Sequence, residues 1–259
     1  MEVIWHGTAA VEIVHSSGRI LFDPFVPLSG SDVDVRLEDF DGFTDILVTH
    51  GHLDHIVHIP EIVRRNPTTT VYCTRTPFQT LLKKGVPEAN LKRIDYGQKW
   101  VINGFQIHVF HGCHAVLPKA RLRLVLSLLC SKHRKNLPYI IRENRLCREN
   151  NETVFYQIEA DGESISLMGS MNMREDVDYP TNADVLVLPY NGWEDNFPPA
   201  VRTIERLKPK KVLLDHYDDT FPPLTSPLDL SPILGRYGDL VIPMKHFERQ
   251  DRHARTTDR

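Results

Sequence analysis

The sequence predicts a layered α/β architecture in which two mixed sheets pack together and helices cover them. Three observations carry this expectation. Short, nearly continuous apolar runs such as Asp45-Ile46-Leu47-Val48-Thr49 read as strands covered on both faces. Helix-length segments follow several of these runs, and the same alternation recurs in the two halves of the chain. With 259 residues, 41% of them apolar and 25% charged, the chain can bury a sizeable core, which excludes disorder, collagen and a coiled coil. We read residues 1–259 as a single domain.

The elements follow in order. Val3 to Trp5, Ala10 to Val14 and Arg19 to Phe22 read as strands, with Ser16, Ser17 and Gly18 as a hairpin turn and Asp23-Pro24 ending the third. After a Gly- and Asp-rich stretch, the 45–49 strand leads directly into His50. A helix is expected from Leu53 to Arg65, stopping before Pro67, and Thr70 to Cys73 completes a β-α-β unit. A helix around Pro77 to Lys84 and strands Lys99 to Ile102 and Gln106 to Phe110 close the first half. The second half carries strands Thr153 to Glu159, Ser164 to Met168, Asp184 to Leu188 and Lys211 to Leu214, with a helix from Pro198 to Leu207. In such folds sites lie at strand ends.

Between the halves, Lys119 to Asn150 holds nine Lys or Arg and only Glu143 and Glu149, a net charge of +7 that leaves -10 elsewhere. Leu122, Leu124, Val125, Leu126, Leu128 and Leu129 form an apolar face, and Pro138 breaks the segment before a second helix around Tyr139 to Arg148. We read an inserted basic helical hairpin, either a solvated face packing its leucines on the body or a lid over a substrate. The run Glu248 to Arg259 is polar and is expected to fray.

The net charge of -3 is too small to imply a nucleic-acid or membrane partner for the whole molecule. No secretory pattern follows Met1, no run approaches a membrane span, and Cys73, Cys113, Cys130 and Cys147 contain no CxxC pair. A cytoplasmic location is expected.

Chemistry concentrates at Thr49-His50-Gly51-His52-Leu53-Asp54-His55, where three imidazoles and a carboxylate occupy six positions after a buried strand. In an extended turn residues two apart point the same way, so His50 and His52 can share one cation, while Asp54 and His55 enter the next helix with other directions. Two adjacent metal subsites are possible. Asp54 also lies near the positive end of that helix, which favours its ionised form. The alternative is a solvent-facing His-rich turn.

The HxHxDH pattern at His50, His52, Asp54 and His55 resembles the metallo-β-lactamase superfamily, and the resemblance spans nearly the whole chain. The opening Ile4-Trp5-His6-Gly7 to Phe22-Asp23-Pro24-Phe25 and the closing Val212-Leu213-Leu214-Asp215-His216-Tyr217-Asp218-Asp219 are similar to its UlaG-like lactonases and related metal-dependent hydrolases. The resemblance implies a four-layer αββα sandwich with its site at the sheet edge between pseudo-symmetric halves. It implies a third ligand for the His50 and His52 metal in the loop after Phe110, where His111 and His114 both qualify. His114, followed by Ala115, fits the family pattern better. It also assigns His216 to a second subsite with Asp54 and His55. Cys113 reads as a buried thiol rather than a ligand. Asp23 is either an outer acceptor for a ligating imidazole or a turn-forming Asp-Pro, and Asp218 and Asp219 either orient His216 or form a turn.

One position departs from the family. Where many members carry a bridging Gly-Asp, this chain reads Gly169-Ser170. A serine removes a negative charge from between two cations, so the subsite of Asp54, His55 and His216 should hold its metal less tightly. Asp176 and Asp178 are nearby candidates to compensate. The metal expected is Zn²⁺, one ion or two, with Mn²⁺ or Fe²⁺ also suited to these ligands.

The function expected is hydrolysis by a metal-activated water of an ester, lactone or phosphodiester on a small anionic molecule, with Asp54 orienting the water or moving its proton. Alternatives are a nucleic-acid phosphodiesterase, since the basic segment could track a backbone, and a non-catalytic metal-binding interaction module or homo-oligomer. β-Lactam hydrolysis is the least expected.

Overall fold

The computed structural model describes residues 1–115, 132–191, 196–220, 222–223 and 228–251. Its first sheet contains β1 (Glu2–Gly7), β2 (Ala10–His15), β3 (Gly18–Phe22), β4 (Asp45–Leu47), β5 (Thr70–Cys73) and β6 (Leu91–Arg93), with β14 (Arg249–Asp251) on the outer side of β1. The second contains β7 (Lys99–Ile102), β8 (Phe105–His111), β9 (Val154–Ala160), β10 (Glu163–Met168), β11 (Val185–Pro189), β12 (Val212–Asp215) and β13 (Val241–Pro243). Each sheet is antiparallel on one side and parallel on the other. Parallel pairing runs from β3 to β6 in the first and from β10 to β13 in the second. The two halves therefore repeat one topology.

The apolar runs find their explanation in this layering. Successive residues of a strand point to opposite faces, so a strand between two apolar layers needs no polar alternation. Phe22, Leu47 and Leu213 fill the space between the sheets with Trp5, Val109 and Tyr156, while their neighbours Leu21, Ile46 and Leu214 point to the outer layers. The outer layers are helices α1 (Leu53–Ile56), α2 (Ile59–Arg65), α3 (Arg75–Lys83) and α4 (Leu137–Leu146) over the first sheet, and α5 (Phe197–Leu207) and α6 (Ser231–Tyr237) over the second. On α5, Ala200, Ile204 and Leu207 recur at helical spacing and are buried. Three apolar clusters separate four layers, the expected αββα order.

Differences from the sequence reading have local causes. The helix expected over 53–65 is two helices, because Pro60 stands at the start of α2 and cannot donate to the preceding turn. The short elements β6, β13 and α6 carry too little periodicity to be read ahead of the fold. Part of the run expected to fray is β14, where Val3 pairs with Gln250 and Arg249 reaches Glu2 at 2.7 Å. The open edge of β1 supplies the hydrogen-bonding partners that a polar tail lacks by itself. The leucine-rich arm of the basic segment, 119–131, lies outside the described residues. The second arm is α4, which buries Ile140 against the first-sheet helices and ties Glu143 to Lys84 at 2.5 Å.

Candidate metal centre

Loops from the carboxyl ends of five strands meet here. Asp23 follows β3, residues 49–55 follow β4, His114 follows β8, Gly169 and Ser170 follow β10, and His216 follows β12. The close approach is steric as well as chemical: a Cβ at Gly169 would stand 2.6 Å from that of Thr49. Only glycine lets the β10 and β4 loops touch in this way.

Asp23 organises the β4 loop. Its carboxylate accepts the Thr49 N–H at 2.8 Å, the Thr49 hydroxyl at 2.5 Å and the His55 Nδ1–H at 2.8 Å. To do this Asp23 adopts a left-handed φ of 45°, a conformation that for a non-glycine residue persists only when its surroundings impose it. The Thr49 oxygen in turn lies 3.0 Å from His50 Nδ1 and accepts its proton. His114 Nδ1 donates to the Ala115 carbonyl at 2.8 Å. Holding the proton on Nδ1 leaves Nε2 of His50 and His114 as lone-pair donors, and turns Nε2 of His55 towards Asp54.

Those atoms converge in two groups. His50, His52 and His114 place their donor atoms within 4.8 Å of one another, and Asp54, His55 and His216 do the same. The groups adjoin through His50 and His55, whose ring centroids are 3.8 Å apart. His50 Nε2 is 3.2 Å from His52 Nδ1, and Asp54 Oδ2 lies 3.2 Å from His216 Nε2 and 3.4 Å from His55 Nε2. All six residues proposed from the sequence are thus brought together. Nitrogen donors with an adjacent carboxylate suit a borderline-soft divalent cation, so the donor set fits the metal that the resemblance implies.

Comparison with known proteins gives the family. The family model described as the beta-lactamase superfamily domain matches residues 18–217, a span that contains all six donors. The chain belongs to the metallo-β-lactamase superfamily. It is similar to a UPF0173 metal-dependent hydrolase of Metallosphaera sedula, with 27% identity over 227 residues covering 85% of each chain. Two solved structures share the architecture. A possible metal-dependent hydrolase of Veillonella parvula aligns with a TM-score of 0.64 at 15% identity over 96% of this chain and 98% of that one. Zn²⁺-bound PqqB of Methylobacterium extorquens aligns with a TM-score of 0.62 at 13% identity, over 97% and 100% respectively.

Within this superfamily frame the remaining sequence candidates separate. His111 stays out of both groups: it stacks on Tyr96 at 4.1 Å and its Nε2 donates to the Asn151 carbonyl at 3.0 Å. Cys113 is half-buried, with its thiol directed at the His114 carbonyl, and burial raises its pKa. Ser170 is buried, and its hydroxyl accepts the Ala115 N–H at 3.0 Å, so it steadies the His114 loop. Asp176 is taken by Arg174 at 2.9 Å and, like Asp178, is exposed, so neither joins a donor group. Asp218 acts on His216 indirectly. It accepts the Thr8 N–H at 2.9 Å, while the Thr8 carbonyl accepts the His216 N–H at 2.9 Å and steadies that residue at a φ of 59°.

Charge distinguishes the two groups. Burial lowers His50 well below its ordinary value, lowers His52 to about 4 and lowers His114, so these imidazoles are neutral donors. Burial opposes charge in the second group as well, but there it is outweighed. Asp54 and Asp23 raise His55, Asp54 raises His216, and the two imidazoles hold the Asp54 carboxyl well below the usual carboxylate range.

The sequence reading missed the supports. Thr49, the Ala115 carbonyl and Glu149 carry no metal-ligand signature. Glu149 accepts the Asn151 N–H at 2.7 Å and the Thr153 N–H at 3.0 Å, which shapes the exit of the basic segment beside the centre. A polar residue ending an apolar strand was the one available sign for Thr49. For Glu149 there was none, since its partners are set by a local turn.

Proposed function

We propose that the chain is a metal-dependent hydrolase of small anionic esters, lactones or phosphodiesters, with His50, His52 and His114 holding the working cation. Asp54, His55 and His216 form a second, weaker subsite. The observation that carries this reading is the convergence of six donors from three distant stretches of chain in two adjoining groups. The name of the Metallosphaera sedula relative, which spans 85% of both chains, supports the reaction class. The donor chemistry and the zinc in PqqB favour Zn²⁺, and Mn²⁺ or Fe²⁺ suits the same ligands.

A divalent cation in this donor set would supply Lewis-acid chemistry, acidifying water and stabilising an oxyanion. The chain's own residues direct it. Thr49 and Ala115 fix the tautomers of His50 and His114, so that their Nε2 atoms stay available. Asp54 is kept ionised by its two imidazole neighbours, which engage Oδ2, and can take a proton from the attacking water at its other carboxylate oxygen. The water oxygen then bonds to the carbonyl carbon or phosphorus, the bond to the leaving oxygen breaks, and the proton passes from Asp54 to that oxygen. Cys73, Cys113 and Cys147 are free thiols, which supports a reducing, cytoplasmic setting.

The test is metal analysis of purified protein followed by a screen of phosphodiester, lactone and thioester substrates, for the wild type and His52→Ala. We expect bound metal with turnover on at least one class, and both lost in the variant. Wild-type protein that carries metal but turns over no class would instead favour a binding module.

A further inference from the structure

A cleft of about 350 Å³ lies between α3 and the end of α4, and the hydrolytic reading leaves it unused. Lys83, Lys84, Arg145 and Arg148 line it together with Thr76 and Gln79. No carboxylate and none of the six metal-centre donors is among the lining residues. The acids nearby have other partners. Glu143 is bonded to Lys84 at 2.5 Å and to Arg142 at 2.9 Å, and Glu152 accepts the Thr76 N–H at 2.7 Å and the Thr76 hydroxyl at 2.8 Å. Among the described residues Lys83, Arg145 and Arg148 are in no ion pair; Arg148 Nε donates to the Arg145 carbonyl at 3.3 Å, which leaves its two terminal nitrogens for an anion.

Cations gathered in a concave space repel one another, and the low-dielectric walls focus their field on its interior. An anion carrying more than one charge relieves that repulsion, and two guanidinium forks with an ammonium match the several oxygens of a tetrahedral oxyanion. We propose that this cleft is a binding site for a phosphoryl group, separate from the metal centre and independent of the hydrolytic assignment. The group is carried either by free inorganic phosphate or by a small organic phosphate.

The cleft is also mechanically joined to the metal loop. The Arg148 carbonyl presses on Gly51, where a Cβ would stand only 2.2 Å from it, and Gly51 is the residue between His50 and His52. The residue that contributes a guanidinium to the cleft therefore also packs its backbone against the loop that presents two of the donors.

The experiment is calorimetric titration of metal-free His52→Ala protein, first with inorganic phosphate and then with a sugar phosphate. This background keeps phosphate binding at a metal from counting. Saturable binding is expected, weakened at least about tenfold in a Lys83→Ala/Arg145→Ala variant. Both residues are exposed, so an unchanged melting temperature verifies that the variant folds. Lys92→Ala, outside the cleft, should bind as the parent does. Tighter binding of the sugar phosphate assigns the site to organic phosphates, and equal or weaker binding assigns it to the free ion. Binding that survives the double substitution, or that appears only in metal-loaded wild type, overturns the proposal. Neither result bears on whether the metal centre hydrolyses esters.

Discussion

The two donor groups sit side by side, but one is three imidazoles and the other two imidazoles with a carboxylate, and their electrostatics are opposite. In the group of His50, His52 and His114, burial acts on imidazoles that have no carboxylate in hydrogen-bond contact, and their pKa values fall. In the group of Asp54, His55 and His216, the carboxylate is hydrogen-bonded to both rings and the pKa values of the imidazoles rise. The first group is three neutral imidazoles whose one mutual hydrogen bond, between His50 Nε2 and His52 Nδ1 at 3.2 Å, carries no charge. The second satisfies itself. A cation entering the first group competes with one neutral hydrogen bond, whereas one entering the second competes with charge-assisted bonds and a proton already in place. A single carboxylate placed against two imidazoles therefore sets which subsite fills first.

The largest test of this contrast is His52→Ala against His216→Ala. The first should abolish tight metal uptake and lower kcat/KM by about 1000-fold or more, because the principal subsite falls to two protein ligands. The second should leave one tightly held metal per chain by elemental analysis. Equal loss of metal in the two variants would erase the distinction between the groups.

Asp23→Asn comes next. The amide cannot accept from His55 Nδ1 and Thr49 together as the carboxylate does, so His55 loses its fixed tautomer. Metal affinity of the second group should fall about 10- to 100-fold in competitive chelator titrations, with a smaller loss in the first, which Asp23 reaches only through Thr49.

Proton linkage gives an effect of about tenfold per pH unit at most. The raised pKa of His55 lies above 6.5, so from pH 6.5 upward a metal must displace its proton, and affinity at the second group should increase as pH rises. His52 titrates at about 4 and His50 is also lowered, so above pH 6.5 the first group has no proton to displace and its affinity should stay flat. Calorimetry in buffers of different ionisation enthalpy would count the protons released; release from the first metal bound would contradict the assignment. The smallest effect is expected from Ser170→Asp, which restores an anion at this strand end. Affinity for a second metal should rise by up to about tenfold, offset in part by loss of the hydroxyl that holds the Ala115 N–H.

Much of this could be read ahead of the fold, for reasons that differ by residue. His50, His52, Asp54 and His55 lie within six positions after a buried strand, so local chain geometry already limits where they point. His216 and His114 were legible only through resemblance, since a single histidine at a strand end has no local mark of a ligand. The choice of His114 over His111 illustrates the limit. Both follow β8, and what separates them is a long-range contact: Tyr96 and the Asn151 carbonyl hold His111, while Ser170 steadies the loop that presents His114. The double role of Asp23 was likewise open, because an Asp-Pro turn and an imidazole acceptor look alike in one dimension.

By itself the amino-acid order determined the layered α/β class, the strands with apolar residues on both faces and the dense imidazole turn, because these depend on side-chain periodicity and near neighbours. Tertiary structure decided the rest. It divided six donors into a neutral trio and a self-neutralised one, engaged Ser170 with the Ala115 N–H, and gathered Lys83, Arg145 and Arg148 into one cleft. Charge and tautomer depend on groups within a few ångströms in space, and two of the contacts that decide them here, Asp23 with His55 and Asp54 with His216, join residues 32 and 162 positions apart along the chain.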